Sequence, residues 1–169
     1  HRPLMVMPLG NDAIVKTAVQ DARIETGDWH DNIKVAPDVT VTLTPANHWS
    51  ARGIADRRMA LWSGFWIHTP HAQIWFVGHG SPDIAIIPIG AYEPRWFMSA
   101  QHVAPDESLR IFHDVGAKQA LGMHWGTFQL TDEARDAPKE LLYASLAEAD
   151  IPAERFVALD AGDVHLHGI

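Results

Sequence analysis

The sequence predicts an α/β (α+β) fold of the αββα sandwich kind: two sheets face to face with helices over both outer faces, incomplete in this chain. Three observations lead there. Short apolar or β-branched runs, with helices interspersed, fill the first two-thirds of the chain. Three of these runs end in loops that carry a histidine, as strands do when their exits gather ligands. Finally, 47% apolar and 20% charged residues in a chain of 169 describe one packed domain or most of one, with no room for wholesale disorder.

Taken in order, Leu4 to Leu9 reads as a short strand stopped by Gly10, and Asn11 or Asp12 can cap a helix over Ala13 to Ala22. Arg23 to Thr26 is a second strand. Asp28-Trp29-His30-Asp31 fits a capped turn with a packed Trp, a ligand loop being the alternative. Val39 to Thr44 alternates β-branched and apolar residues at period two, a half-buried strand that Pro45 ends. His48 therefore falls in the next loop, where Arg52, Asp56, Arg57 and Arg58 crowd together; Arg52 reads as facing an anion and the others as a solvated, ion-paired turn.

Leu61 to Ile67 and Gln73 to Val77 are two strands joined through Thr69-Pro70-His71, with His68 and His71 exposed at the turn. Asp83 to Ile89 is the next strand. Ala104-Pro105-Asp106-Glu107 opens a helix to about Val115, with proline and acids in the first turn where the helix dipole favours them, and Gly116 closes it. Gln119 to Met123 leads to His124. Pro138 starts the helix Lys139 to Ala149, whose residues Leu141, Leu142, Ser145, Leu146 and Ala149 share one side. Phe156 to Leu159 is a strand, Asp160 to Asp163 a turn, and Val164 to His167 a final edge segment. His165 and His167 alternate onto one exposed face there, which does not make them a ligand pair.

Several function classes are excluded or disfavoured. A formal charge of -8 argues against nucleic acid, since phosphate contacts need clustered Lys and Arg. There is no apolar run long enough to span a membrane. Cysteine is absent, so any metal rests on nitrogen and oxygen ligands, and eleven histidines are the compositional hint of such chemistry. The chain starts His1-Arg2-Pro3, with no methionine and no visible signal peptide; a native start is doubtful, and the compartment is not readable beyond a soluble one, a cytoplasmic one being favoured. His124 alone remains open: a strand-exit ligand and a core histidine bonded to a backbone carbonyl give the same local pattern.

Three stretches together narrow this: Thr44-Pro45-Ala46-Asn47-His48-Trp49-Ser50-Ala51-Arg52-Gly53; Pro88-Ile89-Gly90-Ala91-Tyr92-Glu93-Pro94-Arg95-Trp96-Phe97-Met98 with Gln101-His102-Val103; and Leu121-Gly122-Met123-His124-Trp125-Gly126-Thr127-Phe128-Gln129-Leu130-Thr131-Asp132-Glu133. They resemble the phospholipase-D-like branch of the metallo-β-lactamase superfamily, whose best-known member hydrolyses N-acyl-phosphatidylethanolamines. The resemblance runs over roughly residues 4 to 150.

It implies a metal-dependent hydrolase of a phosphodiester or phospholipid-like substrate, with two Zn2+ ions held at one edge of the sandwich. His48 and His124 match two family ligands, one for each metal, and are expected to approach within about 10 Å of each other, a generous multiple of a zinc–nitrogen bond. His102 matches a histidine that faces the substrate phosphate, a structural histidine at the helix start being the alternative. Arg52, Trp49 and Tyr92 are implied substrate contacts; Trp49 and the Trp96-Phe97-Met98 block would offer an apolar wall to acyl chains. Membrane contact would be peripheral.

The sequence departs from the family pattern twice. The His-x-His-x-Asp-His motif is absent and would lie upstream of residue 1. The Gly-Asp-[Thr/Ser]-Gly motif, whose aspartate bridges the metals, is missing where Gly78 is followed at once by His79. Residues 1–169 are therefore read as the carboxy-terminal portion of one domain, interrupted between Gly78 and His79 and inactive alone. A lactonase of the sugar-phosphate type is the alternative within the superfamily, and a non-catalytic sandwich half that pairs with another chain is the alternative outside catalysis.

Overall fold

Strands form where the apolar runs stand in the computed structural model, which describes residues 2–46, 59–76 and 82–166. The chain divides into two compact units, His1–His79 and Gly80–Ile169.

In the first unit, β1 (Leu4–Pro8) pairs in parallel with β2 (Arg23–Gly27), and α1 (Asn11–Ala18) connects them. The helix starts two residues earlier than its sequence signals suggest and stops four residues earlier. Gly10, in the left-handed conformation at φ 83°, occupies the N-cap position, and a Cβ there would meet the Met59 carbonyl oxygen at 2.6 Å. Asn11 uses its side-chain amide elsewhere, donating to the carbonyls of Pro8 and Leu61. An antiparallel run follows: β3 (Asn32–Ala36), β4 (Val39–Pro45), β5 (Ser63–His68) and β6 (Gln73–Phe76), each paired with the next. β3 is the strand that the sequence reading left unassigned. On β4 the period-two pattern holds from Thr40 to Leu43, with Val41 and Leu43 buried while Thr40 and Thr42 are half-buried, and it breaks at Thr44, which is buried as well. The Asp28–Asp31 cluster is a turn: the Asp31 carboxylate accepts the Asp28 N–H, and the Trp29 indole N–H donates to the Trp62 carbonyl at 2.9 Å.

In the second unit, β7 (Ile84–Pro88), β8 (Gln119–Met123) and the short β9 (Phe156–Val157) pair in parallel. Parallel strands are buried on both faces, which is why β7 reads as a continuous apolar run. A four-residue helix α2 (Arg95–Met98), α3 (Pro105–Asp114) and α4 (Ala137–Glu148) make the connections. Leu142 and Leu146 of α4, Ile87 and Phe156 are fully buried, and Phe112 of α3 packs on Phe156 with ring centroids 5.6 Å apart. Each such side chain contributes about 1.5–3 kcal/mol of burial. Two expectations fail at the carboxy-terminal end. The strand expected over Phe156 to Leu159 stops at Val157, and Val164 to Leu166 form no strand, while His167 lies outside the described residues. Asp160–Asp163 is a turn closed by the Asp163 carboxylate on the Asp160 N–H, and the chain leaves it with Val164 and Leu166 exposed, giving a ladder nothing to bury. His165 reaches Gln119 at 3.4 Å.

Candidate active site

β7 and β8 are adjacent parallel strands, so their exit loops emerge side by side at one end of the second unit. Exits of this kind are where parallel α/β sheets place ligands. His124 is the first residue after β8, and its backbone takes the left-handed conformation at φ 64°. For a non-glycine residue that conformation costs about 1–2 kcal/mol, so the surrounding structure must hold it. His124 is exposed. A core histidine bonded to a buried carbonyl does not fit that position.

Gly90, two residues beyond β7, explains part of the hold. A Cβ on it would lie 2.2 Å from the His124 carbonyl oxygen and 3.1 Å from the Trp125 Cβ. Only a residue without a side chain lets the two exit loops come this close. The Ile89 N–H donates to the Met123 carbonyl at 2.9 Å just before the loops diverge.

His102 reaches the same place from the β7 loop. Its ring centroid is 5.2 Å from that of His124, with the planes tilted by 51°. Its N–H is bonded to the Met98 carbonyl at 2.9 Å, the end of the short turn that α2 begins. The start of α3 takes its carboxylate from Glu107, which accepts the Ala104 N–H at 3.1 Å and pairs with Arg95 at 2.6 Å. The bond from Arg95, followed by that from Ala104, holds the Glu107 carboxyl below the usual carboxylate range. Ser108, one residue on and fully buried, donates its hydroxyl to the Pro88 carbonyl at 2.6 Å and so ties α3 to the end of β7.

Tyr92 is 6% exposed. Burial, then the charges of Glu133 and Glu93, push its phenol above the usual value, so it stands as a neutral hydroxyl. Trp96 and Phe97, by contrast, are 84% and 60% exposed. His48, Trp49, Arg52 and the Gly78–His79 junction lie outside the described residues, so the expected approach of His48 to His124 and the expected interruption are untouched by the structure.

Sequence reasoning missed Glu133, which is central here. Its carboxylate accepts the Ala91 N–H at 2.7 Å and the Glu93 N–H at 3.1 Å, across 42 and 40 positions. Burial opposes its ionisation, but the Thr131 side chain and the N–H groups of Glu133, Glu93 and Ala91 outweigh this and hold its pKa below the usual range. An acid in a polar loop carries no local signal of a partner forty residues earlier.

Imidazole nitrogens suit zinc by type. His102 and His124 supply two, and among the described residues no group of three His, Asp or Glu could hold a metal ion. A catalytic zinc takes three protein ligands plus water. The described residues alone therefore do not complete a metal cage, and no reaction step follows from them through a metal. No helix among them is long and apolar enough to cross a membrane.

Comparison with known proteins adds the following. The family model described as a beta-lactamase superfamily domain matches residues 6–125. The chain is 34% identical over 158 residues to N-acyl-phosphatidylethanolamine-hydrolyzing phospholipase D 1 of Caenorhabditis elegans, covering 82% of this chain and 44% of the relative. It is 31% identical over 161 residues to the mitochondrial N-acyl-phosphatidylethanolamine-hydrolyzing phospholipase D of Saccharomyces cerevisiae, covering 83% of this chain and 34% of that one. The chain thus spans less than half the length of these curated relatives. Among solved structures, Zn2+-bound PqqB from Methylobacterium extorquens superposes with a TM-score of 0.64 at 11% identity, over 97% of this chain and 65% of the other, a likeness of fold alone.

Proposed function

The chain belongs to the metallo-β-lactamase superfamily, and we propose on that premise that it is the carboxy-terminal part of a metal-dependent hydrolase domain acting on a phosphodiester of phospholipid type. The observation that carries this reading is the meeting of His102 and His124, 5.2 Å apart between ring centroids, at adjacent parallel strand exits. Relatives at 31–34% identity are named for hydrolysing N-acyl-phosphatidylethanolamines, which supports the substrate class.

In this reading His124 and His48 are metal ligands, and the remaining ligands come from residues outside this chain. Zinc is the metal that the donor types favour, two ions in the complete domain. Bound there, zinc would acidify a water toward neutral pH, which is the chemistry it would supply to hydrolysis. His102 is the catalytic residue contributed by the β7–α3 connection: its ring donates to a phosphoryl oxygen as negative charge develops there. Exposed Trp96 and Phe97 offer apolar surface for acyl chains; Trp49, Arg52 and the buried Tyr92 are assigned to the substrate side on the family resemblance alone.

The test uses the full-length, metal-loaded protein. His102→Ala should lower turnover of a phosphodiester by about 10²- to 10³-fold, the range for losing one oxyanion donor, with bound metal unchanged. Normal turnover, or loss of metal, would remove His102 from this role. Cleavage of a lactone with no cleavage of any phosphodiester would move the assignment to the lactonase side of the superfamily.

A further inference from the structure

We infer that Glu133 is a positioning residue for the His102–His124 pair, acting through the Gly90–Glu93 backbone that its carboxylate holds. The inference rests on the reading of that pair as the reaction centre, but its geometry stands independently.

Glu133 lies further along the loop that His124 opens, and its two oxygens reach back across the β7 loop. One accepts the Ala91 N–H at 2.7 Å and the other the Glu93 N–H at 3.1 Å, while the Asp132 N–H donates to the Glu93 carbonyl at 3.3 Å. Three bonds thus join the two loops that carry the two histidines. Ala91 is left-handed at φ 62°, a conformation that a non-glycine residue keeps only under constraint. Directly before it stands Gly90, seated against the His124 carbonyl with no room for a Cβ. Releasing Ala91 would free Gly90 and remove the surface against which His124 keeps its own left-handed conformation.

The hold also travels toward His102. The Glu93 carboxylate accepts the Arg95 N–H at 3.0 Å, Arg95 pairs with Glu107, and Glu107 accepts the Ala104 N–H. His102 lies between these fixed points. A carboxylate suits the role because two N–H groups one residue apart need two acceptor oxygens. Glutamine supplies one oxygen and turns an amide N–H2 toward the second N–H, which leaves a donor facing a donor.

NMR on the full chain tests this directly, without metal or substrate. In the wild type, ring protons of His102 and His124 should show mutual cross-relaxation. In Glu133→Gln, which preserves shape, and in Glu133→Ala, that cross-relaxation should vanish while the chemical shifts of β7 and β8 stay folded. Amide exchange at Ala91 and Glu93 should quicken by about tenfold or more, the loss of a charge-assisted hydrogen bond. Retention of the His102–His124 cross-relaxation in folded Glu133→Gln overturns the inference. So does unfolding of both variants, since Glu133 would then serve stability alone. Phosphodiester hydrolysis by the full-length wild type is scored separately: its absence removes the proposed reaction, while the NMR result still decides the role of Glu133.

Discussion

Two turns of this molecule are held in opposite ways. The β5–β6 hairpin closes on itself: the Thr69 N–H and hydroxyl both donate to the Ala72 carbonyl, and the Ala72 N–H returns to the Thr69 hydroxyl at 2.9 Å. The His71 N–H also donates to that hydroxyl, at 3.3 Å, so these turn bonds span three or four residues. The connection from β7 to α3 is fixed from outside, by Glu133 from 40 and 42 positions away and by Ser108 from 20. Turn residues can write the first kind of loop unaided. The second kind exists only when the whole unit is folded, and it is the one that carries Tyr92, Trp96, Phe97 and His102. Non-local fixing gives a site its precise geometry and makes it sensitive to changes at a distance.

Breaking the closest approach should have the largest effect. Gly90→Ala forces a Cβ to 2.2 Å from the His124 carbonyl oxygen, and it should cost about 3 kcal/mol, the upper part of the overpacking range. Denaturant unfolding measures this, and the His102–His124 ring proximity should be lost as well. Ser108→Ala leaves the Pro88 carbonyl without its hydroxyl donor and should cost about 1–2 kcal/mol by the same measurement.

Acid should separate the two turns in a graded way. The folded pKa values of Glu133 and Glu107 are depressed, so the stability they contribute is present above the unfolded value of about 4.3 and is lost as pH falls through the lower, folded values. Protection factors at Ala91, Glu93 and Ala104 should therefore fall on acidification below that value, while those of Thr69 and Ala72, which no carboxylate holds, should not. Equal loss at both turns would contradict the contrast. The smallest effect belongs to the hairpin: Thr69→Ala should cost about 0.5–1 kcal/mol and leave the His102–His124 ring proximity unchanged.

What could be read from the sequence follows the same division. β4 was legible because Val41 and Leu43 alternate with threonines, the hairpin because Thr69-Pro70 stands between two β-rich runs, and α3 because Pro105, Asp106 and Glu107 mark its first turn. His102 and His124 were legible as candidates from the family resemblance of their motifs. The short helix α2 was not, since four residues carry no periodicity, nor was β3, whose alternation Ile33–Val35 is too brief to stand out. Glu133, Gly90 and Ser108 were illegible as partners because each acts on a residue that only tertiary structure brings near.

On the proposed reading His124 and His48 are metal ligands in the complete domain. Metal content of the full-length protein, compared with its His124→Ala and His48→Ala variants, tests it most directly. The account predicts that each variant, still folded, loses metal and loses phosphodiester hydrolysis with it. Variants that keep the full metal content of the wild type would contradict it.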